Sequence, residues 1–319
     1  MTCLNCHANV LLETMMDKVF RAIRHKIKRR LLHTSNSFSR VNYKLSDLDK
    51  AAFLKIENDL KQSQVCYENS NEDTRIDYPL LVGGADLSYF GPDNDCEQAV
   101  VCYVIAQYRL AHQIKPEIIY EKWKKVDVKF PYMQGSGFFW ARESQPIIDM
   151  VKEQMLQEPE KTPNYLLIDG NGMFHLRKFG LACKVGTELN IPTIGVAKTY
   201  DCLNTIFNGG NYADEQQELK EHLNDLDIGG HLELKHPSDN EVVGYALRPD
   251  YSKLQEHIYL HLSYKSAKNP IYVSVGHKVS LLKAKTIALR TCLFRLPEPI
   301  RQADIISREA VRCLKKDEE

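Results

Sequence analysis

Tyr165-Leu166-Leu167-Ile168-Asp169 is a short apolar run closed by an acid, and Gly170-Asn171-Gly172 follows it as turn chemistry. A helical pattern begins after Gly180, and a second apolar run extends from Pro192 to Lys198. Two strands joined through a helix need a crossover, which predicts that they pair in parallel. Upstream, Leu80 to Phe90, Ala99 to Leu110 and Glu117 to Phe130 are extended runs separated by short polar or Gly/Pro breaks. Such spacing predicts an antiparallel meander. A helix over Glu143 to Leu156 stands between the meander and Tyr165. Beyond Lys198, strands are expected at Glu241 to Leu247 and Ile271 to Val275, and helices at Leu281 to Cys292 and Ile300 to Leu314. The polar segments 201–240 and 249–269 read as surface excursions or partly helical insertions. The expectation is one α/β domain over residues 46–316, with a mixed sheet flanked by helices. Ser46 and Asp49 read as a capping box opening its first helix, with Leu48, Ala52, Ile56 and Leu60 on one stripe.

The 319 residues are 43% hydrophobic and 26% charged, which excludes collagen-like, coiled-coil and wholly disordered chains. No run is long and apolar enough to span a bilayer, so no membrane partner is expected. Nine scattered cysteines, an odd count, suit reduced thiols in the cytoplasm or nucleus. The net charge is zero but segregated: residues 1–46 hold nine Lys/Arg against two Asp/Glu, and residues 277–316 hold ten against three. Basic ends around an acidic middle suit a protein that binds a polyanion and keeps carboxylates for cations at its centre. Residues 1–45 are expected to be a disordered basic extension. Its Lys18 to Arg40 stretch fits a mitochondrial transit peptide, a nuclear signal or an RNA-binding arm equally.

Two aspartates stand where burial should exclude them. Asp86 lies inside Leu80-Leu81-Val82-Gly83-Gly84-Ala85-Asp86-Leu87, and Asp169 ends the run quoted first. A buried carboxylate without partners costs several kcal/mol, so each demands a cation or a dense set of hydrogen bonds. An Asp on a central strand and another at the end of its parallel neighbour reach the same sheet edge. Hard oxygen ligands of that kind suit Mg²⁺, with Mn²⁺ as a substitute. Glu143 is available as a third acid at a helix start, although by itself it reads as an ordinary first-turn carboxylate. Lys198 by itself reads as a strand-end lysine. Three strands, helix, strand, helix, strand, with acids on these elements, is the ribonuclease-H-like arrangement.

The chain resembles the endonuclease V family, which cuts nucleic acid beside inosine. Val82 to Ser88, Pro131-Tyr132, Arg142-Glu143, Leu167 to Gly172 with His175, and Phe179 to Ala182 carry the likeness. Ile194 to Lys198, Val273 to His277 and Pro297 to Asp304 continue it in the same order. The resemblance implies a Mg²⁺ site from Asp86, Glu143 and Asp169, with Lys198 near the scissile phosphate and His175 and His277 near the active site. It implies Pro131-Tyr132 as the wedge that fills the gap left by a flipped base. A hypoxanthine pocket would be lined by backbone near Gly137, Gly172 and Ala197, and Phe139 is our choice for its apolar wall. Residues Met133 to Ala141 make the path from Tyr132 to Arg142 about two residues longer than is usual in the family.

The activity so implied is hydrolysis of the second phosphodiester 3′ to inosine, leaving 3′-hydroxyl and 5′-phosphate ends. The stretches around Gly276-His277 and Arg301 to Glu309 resemble animal-type members, which favours single-stranded inosine RNA, with deoxyinosine DNA as the second substrate. A monomer is expected. The rivals are a non-catalytic inosine-RNA binder and a structure-selective ribonuclease-H-like DNA nuclease.

Overall fold

The computed structural model describes residues 47–90, 98–128, 137–200, 203, 211–224, 230–249 and 269–317. The strands are β1 (Cys66–Tyr67), β2 (Leu80–Tyr89), β3 (Gln98–Tyr108), β4 (Glu117–Asp127), β5 (Tyr165–Asp169), β6 (Thr193–Ala197), β7 (His231–Lys235), β8 (Val242–Leu247), β9 (Ile271–His277) and β10 (Val279–Ser280). The helices are α1 (Asp47–Lys61), α2 (Trp140–Gln157), α3 (Leu181–Leu189), α4 (Tyr212–Asn224), α5 (Leu281–Thr291) and α6 (Glu298–Asp317).

Eight strands form one mixed sheet in the order β4-β3-β2-β5-β6-β9-β8-β7. The meander is antiparallel, β2-β5-β6 is parallel, and β9, β8 and β7 return antiparallel. This is the mixed, ribonuclease-H-like sheet flanked by helices that the strand pattern predicts. β3 is apolar almost throughout because both its faces are covered, by α2 on one side and α6 on the other. β4, at the sheet edge, carries Lys122, Lys124 and Lys125 and is mostly open to solvent, the usual protection of an edge strand.

The packing of α6 on β2 is decided by glycine. A Cβ on Gly84 would stand 2.3 Å from the Pro299 backbone carbon, so only glycine lets the first turn of α6 lie directly on the strand. Along α6, Ile300, Ala303, Ser307, Ala310 and Val311 are buried, a helical stripe of mostly small residues that keeps this close approach.

Two expectations need correction. The buried face of α1 is Asp49, Phe53, Glu57 and Leu60, because Phe53 inserts between Phe138 and Trp140 at ring separations of 5.2 and 5.8 Å. Ala52 and Ile56 are left half-buried. The segment 201–240 holds α4 and also the edge strand β7, whose five alternating residues pair with β8. Among the described residues no helix is long and apolar enough to cross a membrane.

Candidate active site

The parallel register of β2 on β5 pairs Ala85 with Ile168, so the next residues, Asp86 and Asp169, lie side by side. Asp169 in turn aligns with Val196 of β6, and Lys198 follows two residues later on the same face. That face carries α6, which brings a third acid, Asp304. One carboxylate oxygen from each of Asp86, Asp169 and Asp304 lies within 4.8 Å of the other two. Lys198 Nζ reaches Asp169 Oδ2 at 2.5 Å and Asp304 Oδ1 at 2.7 Å. Arg308 Nη2 donates to Asp304 Oδ1 at 2.9 Å.

Burial drives the Asp86 carboxyl well above its usual range, and neighbouring Asp169 and Asp304 drive it further, against the pull of Lys198. For Lys198, burial opposes the charge, but Asp169 and Asp86 outweigh it and hold the ammonium protonated. Asp169 and Asp304 both disfavour the charge on Asp86, so Asp86 ionises here only with positive charge added, as a proton's replacement, beside it. An octahedral Mg²⁺ places opposite ligand oxygens about 4 Å apart, so oxygens grouped within 4.8 Å are a fitting donor set for a hard divalent cation.

Glu143 approaches from the other face of the sheet, on the first turn of α2. Its Oε1 accepts a 2.5 Å hydrogen bond from the Tyr89 hydroxyl, which also accepts from Arg142 Nε at 3.1 Å. Burial pushes its carboxyl up to about 8, Tyr89 pulls it down, and Asp169 raises it again. Glu143 therefore feels the cluster electrostatically but does not belong to the close group. The resemblance puts Glu143 in the metal set and does not name Asp304; among the described residues the oxygens that lie within 4.8 Å of one another are those of Asp86, Asp169 and Asp304. The signal for Asp304 was available in the helical period, since it directly follows buried Ala303 on the stripe that α6 presses against the sheet.

Neither histidine belongs to the close group of oxygens. β9 runs antiparallel to β6 and pairs His277 with Thr193, at the start of β6. Lys198 follows the other end of that strand, so His277 sits at the opposite sheet edge from the acids. There its Nδ1 accepts from the Val65 N–H at 3.1 Å, and it does not serve the cluster. His175 is buried beside Gly137, Arg177, Lys61 and His236, and burial pulls its ring down to about 3, so it stays neutral there.

Of the pocket and wedge residues, Pro131 and Tyr132 lie outside the described residues. Gly137 has a positive φ of 69°, and its carbonyl accepts from Arg177 Nη2 at 2.6 Å. Arg177 is itself held by buried Glu57 at 2.9 Å. Phe139 stands at the entrance to α2 with 36% of its surface exposed. Gly172 donates its N–H to Ser274 Oγ at 2.8 Å, and a Cβ there would collide with the Val275 carbonyl. Ala197 is buried with Phe174 and Leu203.

The endonuclease V family model matches residues 60–305. Mouse endonuclease V is 36% identical over 233 residues, which cover 72% of this chain and 60% of the mouse protein, less than two thirds of that relative's length. Human endonuclease V is 32% identical over 231 residues, covering 72% of this chain and 71% of the human protein. The crystal structure of human ENDOV aligns with a TM-score of 0.67 at 30% identity, over 83% of this chain and 99% of that one. Endonuclease V of Ciona intestinalis, crystallised with a 23mer DNA containing an inosine followed by a ribo-adenosine, aligns with a TM-score of 0.67 at 28% identity. That alignment covers 85% of this chain and all of the other, 100%.

Proposed function

The chain belongs to the endonuclease V family, and from that premise we propose that it is a Mg²⁺-dependent endonuclease acting beside inosine in single-stranded RNA, with deoxyinosine DNA as a second substrate. The observation that carries the reading is the convergence of Asp86, Asp169 and Asp304 beside Lys198. A divalent cation held by these three carboxylates would polarise the phosphoryl oxygen and favour a hydroxide nucleophile at neutral pH.

The protein's own groups supply the rest. Lys198 keeps its proton and is placed to offset the charge that builds on the phosphate oxygens as water attacks. Glu143 is near neutrality in its burial-tuned range, which suits it to pass a proton at its Oε atoms rather than to serve as a fixed anion. Arg308, Arg312 and Lys315 follow Asp304 along one side of α6 and are exposed, a basic track for the backbone of a bound strand. Cleavage is assigned to the second phosphodiester 3′ to inosine, leaving a 3′-hydroxyl and a 5′-phosphate, in line with the family resemblance. A pocket near Gly137 and Gly172 that takes hypoxanthine and refuses the extra amino group of guanine is assigned in line with the family resemblance.

The test is a panel of inosine- and guanosine-containing RNA, DNA and mixed strands, incubated with Mg²⁺ and with a chelator. Scission of inosine RNA that stops with the chelator is the expected result. Binding without scission would favour an inosine-RNA binder, and equal cutting of inosine and guanosine strands a nuclease of different specificity.

A further inference from the structure

Beside the acids stands a buried polar side chain with no role in the chemistry assigned above. Ser307 lies on the buried stripe of α6 between Ala303 and Ala310 and is fully shielded from solvent. Three residues further along the helix than Asp304, it points into the same contact with β2. A buried hydroxyl must find partners, and this one finds them at the reaction centre. Ser307 Oγ donates to Asp86 Oδ2 at 3.0 Å, and it stands 2.7 Å from the hydroxyl of Ser88, two residues beyond Asp86 on the same face of β2.

A hydroxyl has one proton to give. The Asp304 carbonyl, 3.1 Å away, competes for that of Ser307, and a charged Asp86 is the stronger acceptor. With Ser307 turned to Asp86, the Ser88 hydroxyl can donate to the Ser307 oxygen. The two serines then form a directed chain, Ser88 to Ser307 to Asp86, that fixes the Asp86 carboxylate beside Asp169 and Asp304. It also offers the ionised form of Asp86 the hydrogen bond that its burial otherwise denies.

We propose that Ser307, backed by Ser88, is a positioning residue for the cation site: it orients Asp86 and thereby sets the affinity for a divalent metal. This rests on the reading of Asp86, Asp169 and Asp304 as that site. Outer hydrogen-bond partners of metal ligands are worth about 10- to 100-fold in metal affinity, and Ser307 is the inner of the two.

The experiment is a Mn²⁺ titration of the full chain followed by electron paramagnetic resonance, with no nucleic acid present, on the unaltered protein, Ser307→Ala and Ser88→Ala. The expected result is binding weakened about 10- to 100-fold in Ser307→Ala and by a smaller factor in Ser88→Ala. Inosine-RNA binding in chelator should stay the same in both, which a general loss of structure would not allow. Equal Mn²⁺ affinity in the unaltered protein and Ser307→Ala would overturn the proposal while leaving the cation site intact. Failure of the unaltered protein to bind Mn²⁺ would overturn the site itself. Should Ser307→Ala not fold, Ser88→Ala decides: undiminished Mn²⁺ affinity there would contradict the chain of hydroxyls.

Discussion

The two ends of strand β6 bring polar side chains together in contrasting ways. Past its final residue, Ala197, Lys198 meets Asp169 and Asp304 from two other elements, with Asp86 alongside, and burial raises the free energy of the charged form of Asp86. At its first residue, Thr193, the hydroxyl donates to the Ala182 carbonyl and His277 is anchored on the Val65 N–H. Among the described residues the second end gathers no such cluster of acids, and only one ring nitrogen of His277 is paired, its Nε2 being buried without a hydrogen-bond partner. At the Lys198 end, Asp169 and Asp304 still disfavour the charge on Asp86 despite Lys198, and that demand for positive charge distinguishes it as the candidate working end.

The largest expected break in this contrast is Asp86→Ala or Asp304→Ala, which should reduce inosine-strand cleavage to background while binding in chelator persists. Gel analysis of labelled strands reads this directly, and near-normal cutting by Asp304→Ala would return the third ligand position to Glu143. Lys198→Ala should cost about 10²- to 10³-fold in single-turnover rate, the value of one preorganised charge donor in the transition state. At the opposite end, His277→Ala should leave the cleavage rate essentially intact and destabilise the fold by about 1–3 kcal/mol, since it strands a backbone donor. Denaturant unfolding measures that loss, and a large drop in cleavage by the folded variant would restore a catalytic part to His277.

The smallest effect concerns Glu143 and pH. Its folded value of about 8 lies above the ordinary 4.5, so the folded chain keeps a proton that the unfolded chain releases. Stability from the neutral carboxyl is complete below the unfolded value and is lost as pH rises through the folded one. Thermal unfolding in chelator should therefore show Glu143→Gln gaining on the unaltered protein between about pH 5 and about pH 8. A constant difference across that window would show that Glu143 is already ionised in the fold.

Asp86 and Asp169 were legible in the sequence because each interrupts an apolar strand, where a carboxylate has no cheap explanation. Asp304 was not, because it belongs to an amphipathic helix in which polar residues are ordinary; only its place beside Ala303 on the buried stripe distinguishes it. His277 was misplaced for a topological reason. Its closeness to an apolar strand can be read from the sequence, but the direction of that strand cannot, and antiparallel pairing with β6 carries it to the wrong edge. The first helix was found and its face was not, since Glu57 looks like a solvent residue until Arg177 and Lys61 are seen to pair with it. The meander and crossover were read correctly because their periods and short breaks leave few ways to connect the strands. β7 has only five residues at an edge and gives a correspondingly weak alternation.

Crystals soaked in Mn²⁺ and measured at the manganese absorption edge would show where the protein holds a divalent cation. The account predicts an anomalous peak bounded by Asp86, Asp169 and Asp304, with Ser307 still hydrogen-bonded to Asp86. A soaked crystal with no peak among these three carboxylates, or with one at the His277 end of the sheet, would contradict it.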